Sequence, residues 1–384
     1  MPVRKLRAVL TAILLGSAVT GGAVLSMAVP ALAATVSAKV GPLLKEAQAL
    51  IAAKNYKAAT AKLNEAEAVK STPDDTAIIN QFKNLIAVDS ADPTTPAGAK
   101  AKFANDYNAN RFKDVIADGE ALRKFNELSA EDQLIIAQAY YKAGDNAGCV
   151  RYAKTLGGNE TALQLQARCA YETGDEVTQR AALEQLVAKS PKPEYWSDLL
   201  KLGERARGLT DHNSLDISRL RLLTNSMKTK DDYVALAQFA MEFRLGAEAQ
   251  AALEKGVAAK LVTDDRSMRL LAAAKQMAAA RAASEAKDLA AANAAPQGDS
   301  GNNFVDLIDI GENMIGEGKA KDAVGVVQNG MKKPIKDAAN AQMRLGQAYL
   351  AAGQKSEAEA AFNKIKTPDK DAMIGHFWAL AAQH

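Results

Sequence analysis

The polar and apolar positions of this chain form a figure that returns at intervals in the thirties. Near the C-terminal end, Leu345-Gly346-Gln347-Ala348-Tyr349-Leu350-Ala351-Ala352-Gly353-Gln354 runs on to Ala358, Phe362 and Pro368. Upstream, Ile310-Gly311-Glu312-Asn313-Met314 leads to Gly318, Ala323 and Val327, and Gly318 and Gly353 stand 35 residues apart. The figure recurs at Ile136-Ala137-Gln138-Ala139-Tyr140-Tyr141-Lys142-Ala143-Gly144-Asp145 and at Ala167-Arg168-Cys169-Ala170-Tyr171-Glu172-Thr173-Gly174-Asp175. Weaker copies turn at Gly208 and Gly246, and Asn55-Tyr56 and Asn110-Arg111-Phe112 mark two more. Such a figure predicts pairs of helices. A glycine or asparagine accepts the left-handed backbone that ends the first helix. Small residues such as Gly311, Gly346, Ala323 and Ala358 let the two helices approach, and Tyr349 or Phe362 fills the space beside them.

Punctuation agrees. Ser71-Thr72-Pro73-Asp74-Asp75, Ser129-Ala130-Glu131-Asp132, Ser190-Pro191, Lys230-Asp231-Asp232 and Thr367-Pro368-Asp369 place caps, prolines and acids where a helix begins with free N–H groups. Two stretches interrupt the repetition. Asp89 to Pro96 reads as a loop after an extra helix from Thr76 to Val88. The second interruption follows an alanine-dominated stretch from Leu270 to Ala295, where residues 297–303 read as a flexible linker. Alanine favours helix but buries little surface, so this helix has a thin core and the chain is expected to form two lobes.

These residues resemble the tetratricopeptide repeat, a helix-turn-helix unit of 34 residues that carries Leu-Gly and Ala-Tyr in its first helix, Gly at the turn and Ala in its second. The resemblance is strongest over Ile136–Gly174 and Phe304–Pro368. It implies an all-α fold, an α-solenoid of hairpins whose first helices line a concave groove. The expected organisation is a signal peptide at 1–33, an N-terminal repeat array at 34–296, a linker at 297–303, and a C-terminal repeat pair with a capping helix at 304–384. Transferred by repeat position, the groove residues are Gln138, Tyr141 and Lys142 in one hairpin and Arg168, Tyr171 and Glu172 in the next; the same side chains also suit an ordinary solvated face. The same frame puts Cys149 and Cys169 on packed faces of adjoining helices. A disulfide between them is expected, against two buried reduced thiols acting as small apolar fillers.

Composition alters this picture at one end. Arg4, Lys5 and Arg7 precede an apolar stretch from Ala8 to Val29, broken by Pro30 and followed by Ala31-Leu32-Ala33, the form of a bacterial export signal cleaved after Ala33. The alternative is an uncleaved anchor, since the run approaches the roughly 20 residues that span a bilayer. Cleavage removes three basic residues, so the 48 Lys and Arg become 45 against 45 Asp and Glu. The exported chain is then formally neutral, with no nucleic-acid footprint and no second apolar span.

Candidate chemistry adds little. The three histidines, His212, His376 and His384, form no His-Glu-x-x-His motif, and no phosphate loop or Gly-x-Ser-x-Gly nucleophile is present. No catalytic, cofactor or metal residues are assigned, and the expected function is non-enzymatic: a periplasmic or secreted scaffold or adaptor for a protein or peptide of the envelope. Self-association through uncapped ends of the array is a further expectation. The alternative is a cell-wall glycan-associated accessory protein or hydrolase carrying a helical superhelix, for which paired carboxylates would be needed.

Overall fold

The computed structural model describes residues 36–299 and 306–384. The expected signal peptide, and residues 300–303 of the expected linker, lie outside the described residues. Among the described residues all regular structure is helical, in nineteen helices. They are α1 (Val40–Ala52), α2 (Tyr56–Val69), α3 (Pro73–Asp89), α4 (Pro96–Asn108), α5 (Phe112–Lys124), α6 (Ala130–Lys142), α7 (Asn146–Thr155), α8 (Glu160–Thr173), α9 (Glu176–Lys189) and α10 (Pro193–Glu204). The order continues with α11 (Asp211–Leu223), α12 (Lys230–Glu242), α13 (Gly246–Ala258), α14 (Asp265–Ala294), α15 (Leu307–Gly316), α16 (Ala320–Met331), α17 (Ala338–Ala351), α18 (Lys355–Phe362) and α19 (Asp369–Ala382). Within α1–α5 and within α6–α19, helices adjacent in sequence pack on one another, which is the arrangement of an all-α solenoid.

Local chemistry sets the helix ends. Ser129 with Asp132, and Thr210 with Asn213, form reciprocal capping boxes, while Asn159, Asp175 and Asp264 each accept an amide from the first turn. Left-handed residues close the hairpins at Asn110, Gly144, Gly174, Gly208, Gly318 and Gly353. At the α12–α13 turn the left-handed residue is Arg244, not Gly246. Gly246 instead opens α13, where an added Cβ would strike the backbone of α14 at Met277 and Ala278, so that glycine is required by close approach. Within hairpins the pairing of small and bulky residues is direct: Gly311 faces Val327, and Gly346 lies against the ring of Phe362.

The described residues divide into two compact units, the first ending at Glu127 and the second running from Leu128 to His384. In the first, α1, α2 and α3 share a core of Val40, Leu44, Leu63, Ile79 and Phe82. Asp75, at the start of α3, is buried and accepts the amides of Ser37, Ser71 and Thr72, so it serves as a helix-start device.

The second unit includes described residues on both sides of Pro296. Helix α19 packs not only on α17 and α18, as a cap would, but also on α9 and α11. One hydrophobic core joins Leu163, Leu186, Trp196, Leu199, Leu200 and Leu220 to Met343, Phe362, Phe377 and Trp378. Each large apolar side chain so buried contributes on the order of 1.5–3 kcal/mol. The described part of the expected linker is packed rather than free: the Gly298 N–H donates to Pro334 O at 3.1 Å, and Asp299 accepts the amides of Lys336 and Asp337 at 3.1 and 2.9 Å. Lys333 Nζ caps the end of α14 through the carbonyls of Ala292, Asn293 and Ala295.

At the centre of this return contact lies a charged cluster drawn from α11, α13, α15 and α17. Arg344, fully buried, donates to Asp216 and Glu312 and, at 3.0 Å, to Gln347. Arg219 donates to Glu312 at 2.7 Å and to both oxygens of Glu248 at 2.6 and 2.5 Å, and Gln347 Nε2 closes the cluster on Asp216 at 2.8 Å. Burial alone pushes the Glu312 carboxyl up, but Arg344 and Arg219 more than reverse this and hold it at about 2. Removing one partner of such a cluster leaves an uncompensated buried charge. Arg344→Met is therefore expected to destabilise the second unit by about 3–5 kcal/mol. Urea unfolding followed by tryptophan fluorescence reads this unit selectively, because Trp196 and Trp378 both sit in its core; a midpoint equal to that of the parent contradicts the assignment.

Candidate protein-binding face

The six residues expected to line a groove lie on α6 and α8, the first helices of successive hairpins. Between them in sequence comes α7, which is tied covalently to α8. Cys149 on α7 and Cys169 on α8 form a disulfide with Cα atoms 6.1 Å apart, both fully buried. A loop of 20 residues closed in this way stabilises the fold by about 3 kcal/mol in the chain-entropy account. Tyr140, Tyr141 and Leu165 pack against the bridge, and Tyr140 lies 5.6 Å from Tyr152, ring to ring. Gly148 makes room for the ring of Tyr140, which a Cβ there would meet at 2.5 Å.

On this base the structure brings three of the six together. The Arg168 guanidinium stands 6.0 Å from the centre of the Tyr141 ring and its Nε is 3.1 Å from Glu172 Oε1. Each contact is worth only about 0.3–1 kcal/mol, enough to bias the side chains toward one arrangement without locking them. Tyr171 projects beside Glu172 with 51% of its surface exposed. Lys142 is exposed and Gln138 is half-buried.

Sequence reasoning missed an apolar feature on α9, the helix that follows α8. Val177, in the first turn of α9, is 72% exposed and lines a depression with Glu176, Arg180, Leu202, Ala206 and Met373. A valine at that position reads as part of a packed face, and Met373 arrives from α19, far away in sequence, so nothing local signals the depression.

Three titratable groups elsewhere lie in structural surroundings that shift them. His212 stacks on Phe243 with ring centres 3.7 Å apart, and burial pushes its pKa down. In the first unit Lys102 bridges Asp106 and Asp118 at 2.9 and 2.7 Å; burial pushes Asp118 up to about 6, against the pull of that lysine. At the start of α15, burial, with Asp306 and Glu312 nearby, pushes Asp309 up to about 8. Among the described residues no group of three His, Cys, Asp or Glu side chains is placed to hold a metal ion, and no helix is long and apolar enough to cross a membrane.

No family model matches the sequence, and no curated protein matches it. Solved structures do resemble it. A tetratricopeptide repeat protein from Parabacteroides merdae is 14% identical, with 74% of this chain and 98% of that chain covered and a TM-score of 0.27. The Cut9–Hcn1 hetero-tetramer of APC/C gives 12% identity, 86% and 66% coverage and a TM-score of 0.24. The TPR domain of P58(IPK) gives 14%, 90% and 98% coverage, and 0.23. Scores of this size carry no residue correspondence, and none is transferred. The class rests on this chain's own geometry: an all-α solenoid of tetratricopeptide-like hairpins, with left-handed turns and small-against-bulky helix packing in successive units.

Asp309 offers a test by pH. Its folded pKa lies above the unfolded value, so the stability it contributes is full below about pH 4 and is lost as pH rises through about 8. Asp309→Asn removes that loss. Thermal unfolding is expected to show the variant matching the parent at pH 4 and exceeding it at pH 9; parallel curves across that range contradict the burial of this carboxyl.

Proposed function

We propose that this chain is an exported scaffold that binds a protein or peptide of the cell envelope through the first-helix face of α6 and α8. The observation that carries the reading is the set formed by Tyr141, Arg168, Tyr171 and Glu172: a half-exposed tyrosine beside an arginine already oriented over a second ring, on a base tied by a disulfide. Aromatic and arginine side chains supply most of the affinity in protein interfaces. Side chains already near their bound arrangement lose less entropy on binding. Both signs of charge lie on the face, so it suits a partner of mixed charge rather than a polyanion. The N-terminal pattern of Arg4, Lys5 and Arg7, an apolar run and Ala31-Leu32-Ala33 supports export, and the disulfide suits an oxidising compartment.

A photo-crosslinking residue at Tyr171 in the producing cell tests the reading, with Lys255 on α13 as an exposed control. Crosslinking to a discrete protein is expected from position 171 and not from 255. The partner so found should bind the Tyr141→Ala/Tyr171→Ala double variant at least about tenfold more weakly, the usual effect of truncating a dominant contact. Equal crosslinking from both positions, or unchanged affinity, contradicts the reading.

A further inference from the structure

The packing inside these hairpins is chemically uniform. Gly148 accommodates Tyr140, Gly256 lies against Tyr233 and Val262, Gly311 against Val327, and Gly346 against Phe362. Packing inside a hairpin does not specify which neighbour a returning hairpin chooses. Between neighbours in sequence the short turns make the choice. Where α15–α19 return to α9, α11 and α13, no short turn does so, and that is where the charged cluster lies.

We infer that Asp216, Arg219, Glu312, Arg344 and Gln347 form an address that selects the α11–α13 surface as the docking place of the C-terminal repeats and fixes their register. The complementarity is specific. From α17 come Arg344, Gln347 and Asn340, which accepts from Arg344 Nε at 3.1 Å; from α15 comes Glu312; from α11 come Asp216, Arg219 and His212; from α13 comes Glu248. From α19, Asp371 accepts from Asn213 at the start of α11. The two arginines offset Asp216 and Glu312, and Glu248 stands at the rim with 16% of its side chain exposed. Sliding α17 along α11 by one turn, about 5.4 Å, takes Arg344 away from Asp216 and opposes it to Leu220 or His212. An unpaired buried guanidinium is strongly unfavourable, so the shifted docking is rejected. The cluster is not needed for stability as such, since apolar replacements of a whole buried ionic cluster often fold as well or better. Selection of one docking place and register is what it adds.

The full chain, labelled with spin probes on unnatural amino acids at the exposed positions Lys201 and Lys321, reports the docking by electron-spin distance measurement and leaves the disulfide intact. The parent is expected to give one narrow distance. The variant Asp216→Leu/Arg219→Met/Glu248→Met/Glu312→Met/Arg344→Met/Gln347→Met is expected to keep its helix content while the single distance splits or broadens into several. One narrow distance identical to the parent's would overturn the inference. Charge reversal gives a second reading that keeps every site polar: Arg344→Asp alone is expected to broaden the distance, and reversal of the whole cluster, Asp216→Arg/Arg219→Asp/Glu248→Arg/Glu312→Arg/Arg344→Asp, to narrow it again, because every contact then again joins opposite charges. A fully reversed variant as broad as the single one also overturns the inference, whether or not the apolar variant folds.

Discussion

The second unit depends on one constraint: two guanidinium groups and their carboxylate partners are taken out of water together, and only one docking of α15–α19 satisfies all of them. Arg344 is fully buried, and its partners come from α11 and α15 as well as from its own helix. The apolar core around them, with Trp196, Phe362, Phe377 and Trp378, supplies the favourable free energy, and the charges restrict where that free energy is realised. What begins as a linear stack of hairpins therefore closes on itself within Leu128–His384.

The closure has a functional consequence. Helices α15, α17 and α19 hold the positions that line the groove in a tetratricopeptide-like array, and here they meet α9, α11 and α13 of the same chain. The face of α6 and α8 takes no part in that return contact. It carries an exposed Tyr171, an oriented Arg168 and a disulfide beneath, which is why the proposed partner is placed there and not on the C-terminal repeats.

Much of the fold was legible because it is local. Turn glycines such as Gly144 and Gly353, capping residues such as Ser129 and small-bulky pairs such as Gly346 and Phe362 act within one hairpin, so spacing alone reveals them. Arg344, Asp216 and Glu312 were not legible. Charged residues in a helix read as solvated, and only contacts across more than a hundred residues show that these are buried. The same limit hid the packing of Gly298 and Asp299 against Pro334, Lys336 and Asp337, so a polar stretch read as a linker. Gly246 misled for the opposite reason: it is a packing glycine two residues past a turn made by Arg244, and the two roles look alike in sequence. On the candidate face, the tyrosines and Arg168 were visible from repeat position, whereas Val177 and Met373 meet only through the return of α19.

Native-state hydrogen exchange on the full chain tests the central claim most directly, because it resolves which elements open together. If the C-terminal repeats and the central helices are one cooperative body, the slowest amides of α11 and α17 share one opening free energy and respond equally to denaturant. Opening of residues 306–384 at a clearly lower free energy, with α11 still protected, would contradict the account.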